Sequence, residues 1–252
     1  MGENTENTEN TACGLGFVND PEDARDLVWR ACVAPQSVSV PKKFRLSALG
    51  RVLNQGAEPK CVAFSTASLK MHQEFKEHKK YYTFDPHWLY GECKKVDGIP
   101  DVGGTYLRVA LKIVQENGYL AKAERYKLKK DTGFKIEKYV RLTSKQQIKE
   151  AIYHVGPVVF GIAVDEGIYK PVRGIVPEPG GENLGGHAMT ITGYDDNKKC
   201  QGSRGAFLIK NSWGRNYGSK GYIWLPYSHF DHYEGWDAWR SVDTTDLLDG
   251  PT

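Results

Sequence analysis

The stretch that decides the fold is Asn54-Gln55-Gly56-Ala57-Glu58-Pro59-Lys60-Cys61-Val62-Ala63-Phe64-Ser65. A loop with a glutamine and a glycine runs into a proline, and Cys61 then opens a run to about Lys79 that contains neither Gly nor Pro. Apolar residues recur among polar ones along this run, which predicts a helix. A thiol at a helix N-terminus lies beside unpaired N–H groups and the positive end of the macrodipole, and Lys60 adds a cation. We therefore expect a stabilised Cys61 thiolate, although a lone cysteine at such a place is more often a small buried core residue.

The composition limits the class of protein. The chain has 252 residues, of which 26% are charged and 40% hydrophobic, so it is long enough for one large domain or two lobes that share a cleft. A net charge of +3 is too weak to indicate a nucleic-acid partner or an anionic membrane surface, and no apolar run approaches the length of a membrane span. Five cysteines without a C-x-x-C pair argue against a zinc knuckle or a thioredoxin motif, so we expect neither a metal nor a cofactor. The oligomeric state stays open.

The order of patterns along the chain predicts its organisation. Residues 1–12 are a polar repeat that we expect to be disordered, 13–40 form an extended arm with one turn, and 244–252 are a frayed tail. Between them, 41–243 form one domain with a helical half at about 41–138 and a strand-rich half at about 139–243. The predicted helices are 61–79, one that begins after the cap Asp85, 105–117 and 144–154, and the predicted strands are 158–164, 188–194, 206–210 and 221–225. This order predicts an α+β fold with two lobes.

Two motifs in the strand-rich half carry polar side chains that can do chemistry. His187 follows Gly185-Gly186 and precedes an apolar strand, and glycines beside a histidine let another lobe approach its ring closely. Asn211-Ser212-Trp213-Gly214 ends another strand. Each motif alone is weak, because a loop histidine is usually an ordinary polar residue and Asn-Ser commonly marks a turn. Their order and spacing matter more, since His187 lies 126 residues and Asn211 150 residues after Cys61.

With these motifs in this order, the chain from about 40 to 241 resembles the papain family of cysteine peptidases. The motifs that complete the resemblance are Gln55-Gly56, Gly103-Gly104, Gly218 and Gly221-Tyr222. The resemblance implies a helical N-terminal lobe, an antiparallel β-barrel-like C-terminal lobe and an active site in the cleft between them. It also implies an endopeptidase that hydrolyses peptides or proteins through a Cys–His thiolate pair and an acyl-enzyme intermediate.

The resemblance also implies roles for individual residues. Cys61 is then the nucleophile, His187 the base and acid, Asn211 the group that orients the imidazole, Gln55 the oxyanion donor, and Trp213 the shield of the His–Asn contact. Gly103, Gly104 and Gly186 would lie along the substrate backbone.

The resemblance also places a pocket for the second residue before the scissile bond, lined by Gly161 and Ala188. Because both are small and uncharged, we expect a preference for bulky apolar or aromatic side chains there, with Arg disfavoured. The alternative is that Gly161 only relieves crowding in its strand and a loop near 227–233 closes the pocket.

The chain also departs from the family pattern. Glu58 and Val62 stand where the family usually has Cys and Trp, and Cys93 lacks the usual partner, so the family's disulfides are mostly absent. We expect mostly free thiols, although Cys13 and Cys32 could pair with each other or with other cysteines. Missing disulfides and the lack of a signal peptide favour the cytoplasm and a divergent, prokaryotic-type member, though a removed leader would leave the same pattern. Residues 1–40 are too short for the family's long helical propeptide, but they could lie in or near the cleft.

Two other functions stay open. An exopeptidase or a ligase would use the same residues and chemistry, with an insertion that blocks part of the cleft. A catalytically inactive binding module on the same fold is disfavoured because Gln, Cys, His and Asn are all present.

Overall fold

The computed structural model describes residues 13–29, 39–121 and 133–243. The disorder expected for 1–12 and the frayed tail expected for 244–252 lie outside these residues. The helices are α1 (Cys61–His78), α2 (Pro86–Val96), α3 (Leu107–Asn117), α4 (Lys145–His154) and α5 (Ser228–His232), with a 3₁₀ turn at Glu166–Tyr169. The strands are β1 (Phe17–Val18), β2 (Lys43–Arg45), β3 (Thr105–Tyr106), β4 (Lys138–Arg141), β5 (Val158–Val164), β6 (Gly185–Lys199), β7 (Arg204–Lys210), β8 (Tyr222–Pro226) and β9 (Asp237–Val242).

The helices begin and end where their local sequence dictates. Helix α1 starts at Cys61, and Lys79 ends it in the left-handed conformation, with φ of 53°. Asp85 caps α2 by accepting from the amides of the next turn, with Pro86 as its first residue. Ser144 caps α4 in the same way, and Gly118, with φ of 79°, follows α3. The predicted helices 61–79, after Asp85, and 144–154 are therefore confirmed to within a residue.

The strands of the strand-rich half and β2, which comes from the helical half, form one antiparallel sheet of seven strands. The order is β4-β9-β5-β6-β7-β8, and β2 pairs with β6 beside this path. Among the described residues β4 and β8 do not pair with each other, so the sheet stays open and the barrel-like lobe implied by the resemblance is corrected to an open sheet. The α+β class itself is confirmed. Strands β4 and β9 were not predicted, since each is short and mixes charged with apolar residues.

Two hydrophobic cores lie on either side of the substrate cleft expected from the sequence. One core lies on the sheet and includes Phe160, Ile191 and Phe207. The other lies among the helices and includes Leu69 and Leu89. Helix α1 is the central element, because every residue from Cys61 to Glu74 is buried. It packs on β6, where the Thr190 hydroxyl donates to the Ser65 carbonyl at 3.1 Å. Cys61 and His187, the nucleophile and base expected from the sequence, are thereby carried on two elements in direct contact.

The N-terminal arm lies across the body of the protein. We call residues 13–21 the strap. Its strand β1 pairs in parallel with β3, with Phe17 opposite Thr105 and Val18 opposite Tyr106. The predicted helix start at 105 is therefore two residues too early, because this long-range pairing holds Thr105 and Tyr106 extended. None of the described helices is both long and apolar enough to cross a membrane.

Candidate active site

The loop before α1 is tied to the loop that carries Asn211. The Gln55 amide N–H donates to the Ser212 carbonyl at 2.8 Å, and the Ser212 hydroxyl donates to Gln55 Oε1 at 2.6 Å. Both residues are buried. Because its oxygen is held by Ser212, the Gln55 side chain points its two Nε2 hydrogens away from this contact. The first loop thus presents an orientated amide donor beside the start of α1.

His187 lies on β6 next to the sulfur of Cys61. The amide N–H of the following residue, Ala188, donates to Cys61 Sγ at 3.3 Å. The Nε2 atom of His187 is 2.9 Å from Asn211 Oδ1, and Asn211 Oδ1 also accepts from the Ser212 amide at 2.8 Å, so it acts as an acceptor for the imidazole N–H. This contact assigns the proton to Nε2 in the neutral ring. Nδ1, the basic nitrogen, has no hydrogen-bond partner among the described residues.

Trp213 covers the imidazole. Its ring stacks on that of His187 with centroids 4.5 Å apart, and Tyr169 stacks on the opposite face of Trp213 at 5.0 Å. The indole is itself 5% exposed. This aromatic stack covers the ring of His187 beside its contact with Asn211. That Trp213 shields the contact from water stays a prediction. Tyr169 was not expected from the sequence, since no local pattern marks it.

The strap occupies the cleft between these two sides. Gln55 Nε2 donates to the Gly14 carbonyl at 2.9 Å, and the Gly14 amide donates to the Gly56 carbonyl at 3.0 Å. Further along, the Gly16 amide donates to the Gly186 carbonyl at 3.0 Å. Cys61 and His187 are both 0% exposed as a result. Residues 13–21 of the arm therefore lie in the cleft, which was one of the two placements left open by the sequence.

Phe17 fills the pocket expected at Gly161 and Ala188. A Cβ atom built on Gly161 would lie 2.3 Å from the Phe17 ring, so the ring occupies the space that the missing side chain leaves. Phe17 and Ala188 belong to the same apolar core, and Phe17 is 6% exposed. The alternative, that Gly161 only relieves crowding within its own strand, does not explain the contact between Gly161 and the Phe17 ring, because Phe17 belongs to a different strand.

Of the two neighbouring glycines expected along the substrate backbone, Gly104 lies against the strap and Gly103 lies against Pro59. A Cβ atom on Gly104 would lie 2.3 Å from the Gly16 carbonyl oxygen, whereas one on Gly103 would meet the Pro59 ring at 3.3 Å. The Gly16 carbonyl itself accepts from the Thr105 amide at 3.0 Å. Gly104 thus lets the strap backbone approach closely, and the amide that pairs with the strap is that of Thr105.

Cys61 and His187 are electrically neutral while the strap is in place. Burial raises the pKa of the Cys61 thiol to about 12, although the backbone amides of Ala188, Val62, Cys61 and Gly16 oppose this shift. Burial likewise lowers the pKa of His187 to about 4, although the hydrogen bond to Asn211 opposes it. The stabilised thiolate expected at the helix N-terminus is therefore not the state of this cleft, because loss of water outweighs the helix dipole. Lys60 does not supply the expected cation either, since its Nζ pairs with Glu58 at 2.6 Å and contacts His87 Nδ1 at 3.0 Å.

The other cysteines and the possible metal ligands lie outside the site. Cys13, Cys93 and Cys200 are free thiols, as is Cys61, while Cys32 lies outside the described residues. Among the described residues one group has metal-ligand spacing, Glu74, Glu77 and His78 near the end of α1. Lys70 already neutralises Glu74 at 2.5 Å, which makes this an ion-pair cluster.

The sequence reasoning missed how the strap docks. A signal was present in Gly14-Leu15-Gly16-Phe17, where two glycines flank an apolar residue and precede an aromatic. Both glycines are required by space, because a Cβ atom would lie 2.2 Å from the Glu58 carbonyl oxygen at Gly14 and 2.3 Å from the Pro59 carbonyl oxygen at Gly16. A glycine pattern of this kind indicates close backbone approach, but not to which surface.

Comparison with known proteins agrees with this geometry. An uncharacterized peptidase C1-like protein of Acanthamoeba polyphaga mimivirus is 27% identical over 229 residues, covering 78% of this chain and 71% of that protein. Human cathepsin L2 is 27% identical over 218 residues, covering 79% of this chain but 62% of its own length, so the chain spans less than two thirds of that relative. These identities confirm that the chain is divergent.

A solved structure shares the fold. The crystal structure of Xylellain, a cysteine protease from Xylella fastidiosa, superposes with a TM-score of 0.79 at 22% identity, covering 92% of this chain and 97% of that one. The family model described as papain family cysteine protease matches residues 34–234. This match takes in most of the chain, and the chain belongs to the papain family of cysteine proteases.

Proposed function

We propose that the protein is a cysteine endopeptidase with Cys61 as nucleophile and His187 as general base and acid. The observation that carries the proposal is the contact between Gln55 Nε2 and a peptide carbonyl, that of Gly14, beside Cys61. This carbonyl stands where the carbonyl of a peptide substrate would be polarised. Family membership supports a peptidase, and the endopeptidase activity is our inference.

The chemistry follows from the arrangement once a substrate replaces the strap. Nδ1 of His187 takes the thiol proton, and Cys61 Sγ attacks the scissile carbonyl to form a tetrahedral oxyanion. Gln55 Nε2 and the Cys61 backbone amide stabilise this oxyanion, and each donor contributes roughly 3 kcal/mol to the transition state. The imidazolium then protonates the leaving amine, and water hydrolyses the acyl-enzyme with His187 again as base.

Asn211 and Trp213 prepare His187 for this role. The Asn211 oxygen accepts a hydrogen bond from Nε2–H, so it leaves Nδ1 free to bind the thiol proton and favours the protonated ring. Trp213, stacked on the ring, limits its rotation and excludes water from the hydrogen bond. Both contacts fix the orientation of the base rather than touching the substrate carbonyl.

The proposed specificity is for an aromatic or bulky apolar residue two positions before the scissile bond. Phe17 supports this, because its phenyl ring already occupies the space beside Gly161 and belongs to the same apolar core as Ala188. Burying such a side chain contributes roughly 1.5–3 kcal/mol. A fluorogenic dipeptide series that differs only at this position, with Gly161→Leu beside wild type, tests it. Higher kcat/KM for Arg than for Phe and Leu, or an unchanged profile in Gly161→Leu, would contradict this pocket.

The activity is tested in the intact protein and in Gly16→Ala, whose added Cβ overlaps the Pro59 carbonyl and displaces the strap. Gly91→Ala is the matched control, because a Cβ there has no atom within 4 Å. We expect peptide hydrolysis that is stronger in Gly16→Ala and absent when Cys61→Ala is added. Hydrolysis that survives Cys61→Ala in the purified protein would overturn the assignment.

A catalytically inactive binding module is the second candidate. The observation in its favour is that Cys61 and His187 are buried and neutral in this structure. The Gly16→Ala variant distinguishes the two functions. An active enzyme would hydrolyse peptides, and its Cys61 would react with thiol reagents faster than free cysteine does. A binding module would expose a thiol of ordinary reactivity and hydrolyse nothing.

A further inference from the structure

The loop between α2 and β3, residues 97–104, is shaped around one ammonium group, that of Lys94. Its Nζ donates to three backbone carbonyls of the loop, those of Ile99 at 2.7 Å, Val102 at 2.8 Å and Gly104 at 3.1 Å. An ammonium has three hydrogens to donate and no lone pair with which to accept. All the hydrogen bonds that the Lys94 side chain can make therefore go to this one loop.

The positive charge of Lys94 is balanced within the same loop. Asp97 Oδ2 lies 2.9 Å from Lys94 Nζ, and the Asp97 side chain is 0% exposed. The other carboxylate oxygen of Asp97 accepts from the Ile99 amide at 3.1 Å. Burial alone would raise the pKa of Asp97, but the interactions with Lys94 and with the Ile99 amide help to outweigh it, so the pKa is lowered and the carboxylate stays charged. The loop thus encloses an ion pair.

The path of this loop depends on a cation at this place. Carbonyl oxygens that converge on one point repel each other, because each carries a partial negative charge. Here three of them converge, with the buried carboxylate of Asp97 beside them. Without the ammonium of Lys94, these oxygens would face one another and a buried charge would be left unpaired, which is costly. We therefore expect the loop to change its path when the ammonium is removed.

Helix α2 holds both polar backbone groups of Gly104. Tyr90 lies one turn before Lys94, so the two side chains project from the same face of the helix. The Tyr90 hydroxyl accepts from the Gly104 amide at 3.3 Å, and Lys94 Nζ donates to the Gly104 carbonyl. The position of Gly104 is therefore set from α2 by two side chains.

Gly104 is a point where a second backbone comes close to the helical half. A Cβ atom on Gly104 would lie 2.3 Å from the Gly16 carbonyl oxygen, and the amide of the next residue, Thr105, donates to that oxygen at 3.0 Å. A hydrogen bond tolerates only a narrow range of distances, so a shift of about 1 Å in Gly104 and Thr105 would remove this contact. The groups that meet a peptide backbone here thus depend on the loop that Lys94 shapes.

We propose that Lys94 is a positioning residue for the peptide substrate: its ammonium holds the 97–104 loop so that the Thr105 amide and the open space at Gly104 are placed for the substrate backbone. This role rests on the proposed function, because it takes the peptide that binds in the cleft to be a substrate. Lys94 does not touch the reacting atoms. It should therefore set the affinity for the peptide and leave the chemical step unchanged.

Peptide affinity is measured first in a protein that cannot hydrolyse the peptide. Gly16→Ala displaces the strap and Cys61→Ala removes the sulfur, and fluorescence polarisation of a labelled hexapeptide with one phenylalanine gives the Kd. Adding Lys94→Ala should raise this Kd about tenfold or more, the effect of losing a hydrogen bond to a charged group. Lys95→Ala is the matched control and should leave the Kd unchanged, because Lys95 is the next residue of α2 and its side chain is 66% exposed. Equal Kd values in the two variants would overturn the proposal.

Chemical rescue separates the role of the ammonium from that of the rest of the side chain. Lys94→Ala removes three carbons and the ammonium, which are the atoms of n-propylammonium. The Lys94 side chain is 18% exposed, so the space that it leaves can be reached from solvent. n-Propylammonium chloride should return the Kd of Lys94→Ala toward the parent value, and sodium chloride at the same concentration should not. A Kd that responds equally to the two salts would contradict a role for the ammonium.

Lys94→Arg decides the matter if the alanine variant does not fold. Its guanidinium keeps a positive charge beside Asp97, which favours folding. Its planar donors cannot point at three carbonyls that surround one point, so the Kd should still rise. A folded Lys94→Arg variant with the parent Kd would refute the positioning role.

Kinetics distinguish positioning from general damage to the site. With Cys61 intact, Lys94→Ala in the Gly16→Ala background should raise KM and leave kcat within about twofold. A fall in kcat at constant KM would instead overturn the proposal. If Gly16→Ala itself hydrolyses no peptide, the proposed endopeptidase fails while the affinity measurement still tests Lys94, so the two failures are distinguishable.

Discussion

Truncating Phe17 to alanine is the sharpest test of how firmly the strap is held. The side chain is 6% exposed, and its ring occupies the space beside Gly161 on β5. Burial of a phenylalanine side chain contributes roughly 1.5–3 kcal/mol, and truncation in a rigid core costs roughly 3–5 kcal/mol. The pocket opens to solvent when the strap leaves, so we use the range for burial rather than the range for a rigid core. Its upper end, about 3 kcal/mol, is the largest free energy that we expect Phe17→Ala to remove from the seated state.

This magnitude predicts a large change in the exposure of Cys61. Each 1.4 kcal/mol is tenfold in an equilibrium, so about 3 kcal/mol raises the released population roughly 10²-fold. When the strap reseats faster than the reagent reacts, the rate of alkylation follows this population. We therefore expect iodoacetamide to label Cys61 in Phe17→Ala up to about 10²-fold faster than in wild type at neutral pH.

Leu27→Ala is the control for Phe17→Ala. Leu27 lies in the same arm and is also apolar, but it is 46% exposed, and its contact with Arg141 is made by the backbone carbonyl at 2.7 Å. We expect little change in labelling for this variant, and an intermediate rate for Phe17→Leu. Circular dichroism shows whether the body stays folded. If Phe17→Ala labels no faster than Leu27→Ala while both are folded, the ring does not hold the strap and the reasoning fails.

Three further predictions concern the site and the thiols. Gln55→Ala in the Gly16→Ala background should lower kcat about 10²-fold, the range for one lost oxyanion donor, and an unchanged kcat would remove Gln55 from that role. Asn211→Ala should shift the descending, alkaline limb of the kcat/KM profile to lower pH, because the hydrogen bond to Asn211 raises the pKa of His187; a limb that stays in place or moves up would contradict this. Thiol counting on the denatured, unreduced protein should find five free thiols, and a count of one would show that the cysteines pair.

The parts of the site that the sequence could predict are those that local sequence determines. Cys61 begins a helix because Pro59 precedes it and no helix breaker follows for a full 18 residues. His187 is placed by the apolar strand that follows it and Asn211 by the apolar strand that precedes it, and their side chains lie within hydrogen-bonding distance of each other in the structure. The motifs that contain Cys61, His187 and Asn211, and the hydrophobic periodicity around them, can each be recognised from a short segment of the sequence.

The strap and β9 could not be predicted, because each depends on groups distant in sequence. The strap is held by backbone hydrogen bonds and by the absence of side chains at Gly14 and Gly16, and neither feature produces a periodic pattern. Strand β9 places Asp237 and Arg240 in buried positions, which argues against a core strand unless partners such as Arg141 are known. The predicted helix start at 105 failed for the same reason, since β3 exists only because β1 pairs with it.

The strap affects the charge of the Cys61 and His187 side chains as well as their exposure. A thiolate and an imidazolium are favoured over the neutral pair only when water or fixed dipoles solvate both charges. With the strap seated, burial outweighs the opposing hydrogen bonds, so the pKa of Cys61 is raised to about 12, that of His187 is lowered to about 4, and the proton stays on sulfur. Release of the strap returns water to the cleft and leaves the sulfur beside the N-terminus of α1, where the helix dipole favours the thiolate. We therefore expect that release of the strap would both expose and charge Cys61, the nucleophile that we propose, whereas the seated strap keeps its sulfur buried and protonated.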